Sequence, residues 1–175
     1  HGYLLHQFLS PVSNIRVDEF GKDFLGRLNL PLKIAKKIRK IWPKNKILGA
    51  RITATDHLKE GINIKESTLL VKQLEKIGFD YVCVSSGGIL PVTNMKFKKA
   101  FRANLSKKIK KKTSILIRTS GQIDDIQTAN NLLMKKNVDF IAVARKFIKD
   151  PTWIYKASKL KNLRNYIPKP YLRCF

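Results

Sequence analysis

The chain opens on His1 and Tyr3, an imidazole and a phenol two residues apart. Both side chains hold or pass protons near neutral pH once their surroundings tune them. The apolar pair Leu4-Leu5 follows, then Phe8-Leu9-Ser10-Pro11, where Pro11 stops any regular element. Ser13-Asn14 and the run Arg16 to Gly21 continue as a mostly polar loop. A His and a Tyr ahead of a long loop suit the mouth of an α/β barrel. Arg51 ends a short apolar run, where an unpaired guanidinium is costly to bury, so it asks for a partner or an anionic ligand. Ser85-Ser86-Gly87-Gly88, Thr119-Ser120-Gly121 and Ala144-Arg145 are the other polar clusters that follow apolar runs. His6 and His57 read as surface or loop residues, and Arg16 and Asp18 as braces of their loop.

The elements that must position these residues are legible from period and punctuation. Pro31 to Trp42 carries helical spacing with Ile34, Ile38 and Ile41 on one face and Ala35 beside them; Pro31 suits the first helical position and Trp42-Pro43 the end. Residues 46–53 form a strand-length apolar run, and 65–77 an amphipathic helix (Leu69, Leu70, Leu74, Ile77) closed by Gly78. Strands follow at 80–84, 114–118 and 139–143, with helices at 101–112 and 124–136 between them and a helical stretch interrupted by Pro151 after the last. Val/Ile-rich strands alternating with helices mean a parallel sheet covered by helices. Units of this length fit four strand–helix repeats of a (β/α)8 TIM barrel, its C-terminal half, about strands 5–8; a doubly wound sheet is the alternative. Residues 1–160 form this half and 161–175 a tail with Tyr171, Arg173 and Phe175.

In such a barrel the polar clusters fall at the carboxyl ends of strands, where barrel enzymes work. Thr119 to Gly121 and Ala144-Arg145 occupy the loops after the last two strands, the usual phosphate site, so a phosphorylated cofactor or substrate is expected.

A chain of 175 residues, 43% apolar, supports one domain with a real core. It does not begin with Met, carries no signal-peptide pattern and reads as the C-terminal piece of a longer protein. Two cysteines, Cys83 in an apolar run and Cys174, make no disulfide framework, which suits a reduced, cytoplasmic setting. No apolar run is long enough for a membrane span. CxxC and HExxH are absent, so no metal site is expected. Thirty-six basic residues against 12 acidic ones give a net charge of +24, which would draw any polyanion. The lysines, however, sit on helix-like segments (Lys33, Lys36, Lys37, Lys40; Lys107 to Lys112) without interleaved aromatics. That pattern fits a solvated face, and a nucleic-acid partner is the weaker reading.

The opening block HGYLLHQFLSP, then Asn14, Arg16, Asp18 to Gly21 and Arg27, resembles the Old Yellow Enzyme family of FMN-dependent ene reductases. Arg51 in ARITATD, Ser85 to Gly88, the run Ala144 to Pro151 and the tail Tyr171 to Phe175 extend the resemblance over the chain, and the tail is similar to that of bacterial NADPH dehydrogenases and xenobiotic reductases. The resemblance implies FMN as cofactor and NAD(P)H as co-substrate. It implies reduction of the activated C=C bond of a small enone, in a homo-oligomer. His1 resembles the second member of a histidine pair that binds the substrate carbonyl; the first would lie three residues upstream. Tyr3 is similar to the tyrosine that gives the proton. Arg51 would face the flavin ring, while Arg145, Ala144, Ser120 and Gly121 would hold FMN around its phosphate. Arg173 resembles an arginine that reaches a neighbouring subunit. Ala144 and Leu116 stand where glycine is common in the family, Leu116 close to the phosphate, and residues 98–102 replace a Pro-Gly-aromatic turn. Two alternatives are a barrel flavoenzyme of different chemistry, such as a dienoyl-CoA reductase or amine dehydrogenase relative, and a basic nucleic-acid-binding protein.

Overall fold

The computed structural model describes residues 1–91, 95, 97–160 and 167–174. Phe175 and residues 161–166 of the tail lie outside the described residues. The elements run α1 (Leu4–Leu9), α2 (Phe24–Ile41), β1 (Gly49–Thr53), α3 (Ile64–Ile77), β2 (Tyr81–Ser85), α4 (Ala103–Lys110), β3 (Leu116–Ser120), α5 (Ile126–Met134), β4 (Phe140–Ala142), α6 (Arg145–Lys149) and α7 (Trp153–Leu160), with a 3-10 turn at Lys169–Cys174. All strand pairs are parallel, and the sheet order is β1-β2-β3-β4. A doubly wound sheet reverses its order at a switch point. No reversal occurs here, and the sequential order is that of four consecutive barrel strands. β1 and β4 are the edges, each paired on one side.

The sheet has one packed face and one open face. Ile52, Val82, Val84 and Ile117 join Leu28 and Ala35 of α2, Leu70, Val71 and Leu74 of α3 and Ile109 of α4 in a single core. Alternation along each strand sends the intervening residues the other way. On that open face the pairing Arg51↔Cys83↔Arg118↔Phe140 forms one row.

Two helices differ from their sequence reading. Residues 4–9, to which the sequence reading gave no element, form the helix α1, ended at Ser10 just before Pro11. In α2, Pro31 lies inside the helix rather than at its first position, because Asp23 caps the chain earlier by accepting from Gly26 N (2.8 Å). Leu28, Pro31 and Ala35 then form the buried stripe, while Ile38 and Ile41 face outward, Ile41 80% exposed. The isoleucine face therefore turns outward along the helix, from half-buried Ile34 to exposed Ile38 and Ile41.

Helix α3 matches its reading more closely, and its start carries a capping box. The Asn63 side chain accepts from Glu66 N (3.2 Å), and Glu66 Oε2 accepts from Asn63 N (3.2 Å). Asn63→Ala is expected to lower stability by about 1 kcal/mol in a urea titration, without changing its slope.

Candidate active site

The carboxyl ends of the strands gather most of the residues singled out from the sequence. Gly2 sits at φ +73, and a Cβ there would meet Gly88 O at 2.7 Å; the main-chain nitrogen of His1 lies 2.8 Å from Gly87 O. The two glycine-containing segments thus touch backbone to backbone, which seats His1 beside the loop after β2. His1 Nε2 shares a hydrogen bond with Ser85 Oγ, and its Nδ1 is 3.4 Å from Thr53 Oγ1. The Tyr3 ring stacks near that of His1 (centroids 6.3 Å apart, interplanar angle 20°), with the residue 75% exposed. Imidazole and phenol therefore stand together, the phenol open to solvent and the imidazole held by Ser85 and Thr53.

Arg51 points from the open face, with Nη2 3.5 Å from Ser85 Oγ. It is exposed rather than buried, because this side of the sheet carries no packed layer among the described residues. A cleft of about 1190 Å³ runs from it along the strand ends, lined by Ser120, Gly121, Ala144 and Arg145 among others. Ala144, at φ −122 and ψ −75, lies outside the helical and extended regions but not in the left-handed region that favours glycine. Leu116 is placed differently from its expectation: it is the first residue of β3 and does not line the cleft, which lies at the carboxyl end of the strand, at Ser120. Arg145 is not held by Asp150, whose partners are Lys156 (3.0 Å) and Lys146 (3.7 Å). Arg173 lies exposed in the terminal 3-10 turn, away from these residues in sequence and absent from the cleft lining.

Arg102, Arg118 and Cys83 are among the cleft residues that sequence reasoning missed. Arg102, just before α4, donates from Nε to Ser86 Oγ (3.1 Å) and from Nη1 to Ser120 Oγ (3.5 Å). Burial first, and the nearby Arg51 second, push its guanidinium below its ordinary value, as a site short of anions would. Arg118 lies over the Tyr81 ring (5.1 Å to the centroid), and its Nε is buried with no hydrogen-bond partner among the described residues. Cys83, buried as expected, sits between the two arginine-bearing strands. The argument that marks Arg51, a cation in an apolar strand, applies equally to Arg118. Lys99 is already neutralised: its ammonium, 2.7 Å away, holds Asp125 down to about 2. Asp124 is the one acidic lining residue among the described residues, against Arg51, Arg102, Arg118 and Arg145. An orphaned guanidinium nitrogen and this excess of planar donors fit a phosphorylated ligand with further hydrogen-bond acceptors, as FMN is.

Behind the rim lies a second set of polar residues. His6, expected at the surface, is 6% exposed, and its Nε2 is 2.7 Å from Asp56 Oδ1. Ser10 Oγ and Ile62 N both donate to Asp56 Oδ2 (2.8 Å each). Burial raises the Asp56 carboxyl, but these hydrogen bonds outweigh it and hold the group below the usual carboxylate range. His57 is a loop residue as expected, at φ +57. Arg16 and Asp18 pair with each other on the surface, as braces of the loop. Buried Asn14 ties that loop down from Nδ2 to Phe8 O and Phe20 O (2.7 Å each), and Arg27 reaches Leu9 O (2.9 Å) and Glu66 (2.8 Å).

A family model described as NADH:flavin oxidoreductase / NADH oxidase family matches residues 1–164. An NADPH dehydrogenase of Clostridium acetobutylicum is 32% identical over 176 residues, covering 100% of this chain and 51% of that protein. An NADPH dehydrogenase of Bacillus subtilis is 28% identical over 173 residues, covering 99% of the chain and 50% of the relative. The chain thus spans about half the length of these curated relatives. Among solved structures, a 2-naphthoyl-CoA reductase complex superposes with a TM-score of 0.82 at 23% identity, over 93% of this chain and 25% of that one. Morphinone reductase in complex with tetrahydroNAD gives 0.68 at 19% identity, over 90% and 40%. At these identities the likeness speaks for the fold, a partial TIM barrel. No helix among the described residues is long and apolar enough to cross a membrane.

Proposed function

From the premise that this chain belongs to the NADH:flavin oxidoreductase / NADH oxidase family, we propose that it forms the C-terminal half of an FMN-dependent reductase of activated C=C bonds. The observation that carries this reading is the meeting of His1 and Arg51 on one hydroxyl, that of Ser85, with Tyr3 stacked beside His1 and further guanidiniums along the cleft. Bound FMN supplies hydride, taken from NAD(P)H and passed to the β-carbon of an α,β-unsaturated carbonyl compound. Arg145, with the Ala144 backbone, Ser120 and Gly121, holds the phosphate, and Arg51 faces the ring system. His1 exchanges its Ser85 partner for the substrate's carbonyl oxygen, donates to it and stabilises the charge that develops there. Tyr3 gives its phenolic proton to the α-carbon and is reprotonated from solvent, to which it is open. One C=C bond is thus reduced for each NAD(P)H oxidised. Arg173 reaches the site of a neighbouring subunit in a homo-oligomer.

The test is the visible spectrum of the complete gene product under anaerobic conditions. Bound flavin is expected to bleach with NADPH and to regain its colour with 2-cyclohexenone. A well-folded full-length protein without flavin overturns the reading. Arg145→Ala removes a charge-assisted contact of about 1.5–3 kcal/mol. FMN is therefore expected to bind about 10- to 100-fold more weakly, read by fluorescence titration of the apoprotein.

A further inference from the structure

The His6–Asp56–Ser10 cluster is buried, fully partnered and without a part in the chemistry above. Its outer end is the peptide between His1 and Tyr3. His6 Nδ1 lies 3.0 Å from Gly2 N and 2.7 Å from the His1 main-chain nitrogen. Gln7 Nε2 donates to the Gly2 carbonyl oxygen (2.6 Å). Both polar groups of Gly2 are thus gripped by side chains of α1.

The hydrogen positions follow from the partners. Gly2 N–H is a donor, so His6 Nδ1 must present its lone pair. The ring hydrogen therefore sits on Nε2 and is donated to Asp56 Oδ1 (2.7 Å). Asp56 in turn faces donors alone: His6 Nε2–H, Ser10 O–H and Ile62 N–H. An ionised carboxylate answers all three, and both Asp56 and Ser10 have no exposed surface. A proton on Nδ1 would oppose Gly2 N–H, so the network admits one tautomer. We propose that His6 is a positioning residue: Asp56 fixes its tautomer, and its Nδ1 clamps the Gly2 amide so that His1 and Tyr3 hold their places over the cleft.

This inference rests on the roles given to His1 and Tyr3, and two substitutions separate it from a merely structural contribution. The side-chain oxygen of Asn overlays Nδ1 of His, and the side-chain nitrogen of Gln overlays Nε2. His6→Asn keeps an acceptor for Gly2 N–H and loses the bond to Asp56. His6→Gln keeps the donor to Asp56 and loses the acceptor. In the FMN-loaded full-length protein, reoxidation by 2-cyclohexenone is expected to slow about threefold in H6N and tenfold or more in H6Q. Reduction by NADPH should be unchanged in both. Thermal stability should fall in the opposite order, further in H6N, because the buried carboxylate loses a donor. Rates that follow stability, with H6Q at least as fast as H6N, overturn the proposal. If the wild-type protein is not reoxidised by enones, the functional reading fails instead. The ring-nitrogen NMR shifts of His6 then decide the clamp: hydrogen on Nε2 supports it, and hydrogen on Nδ1 overturns it.

Discussion

Replacing Tyr3 by Phe is expected to slow enone reduction by about 100-fold or more, the usual worth of a positioned general acid. The substitution removes one hydroxyl from a ring that is already exposed, so folding has little to lose. Flavin content and the rate of bleaching by NADPH should stay at the wild-type level, because the phenol is not among the residues lining the cleft. Stopped-flow measurement of the two half-reactions separates these effects. A loss in the reductive half-reaction, or none in either, would remove Tyr3 from the role of proton donor.

Asp56→Ala is expected to cost the full-length protein about 3–5 kcal/mol at neutral pH, because buried donors left unsatisfied cost about 1–3 kcal/mol each. It strands His6 Nε2–H, Ser10 O–H and Ile62 N–H together. The effect has a pH signature. The folded-state value for Asp56 lies below its unfolded one, so its contribution is complete above the unfolded value of about 4. It is lost as pH falls through the folded value. Urea titrations should therefore show the gap between wild type and variant closing below about pH 4. A gap that is constant with pH would mean that packing, not the carboxylate, is what the substitution removes.

The sequence makes the strand–helix alternation plain because it is a local pattern, and the same holds for Gly78 at the end of α3. Ser120 and Arg145 are legible since barrel chemistry sits where strands end, and Arg51 because a cation stands out inside an apolar run. The face of α2 is not legible. Ile34, Ile38 and Ile41 share a stripe as regular as that of Leu28, Pro31 and Ala35, and only packing against α3 chooses between them. His6 is hidden for another reason: its partner Asp56 is 50 positions away, and neither residue type belongs in a core unless the other is there. Arg102 likewise acquires its place from the fold, which brings it to Ser86 and Ser120.

The flanks of β1 and β4, unpaired among the described residues, set a rule about continuity. An eight-stranded wall built from two four-stranded arcs has two seams, and the covalent chain needs to bridge just one of them. Each seam is a parallel ladder, held by the same main-chain bonds whether or not a peptide link lies nearby. Scission between the arcs therefore removes no ladder bond. A second copy of this arc, turned half a revolution about the barrel axis, would also bring β4 to β1 in the right direction at both seams. Polarity at the flanks, rather than an unbroken polypeptide, is what a closing half must match.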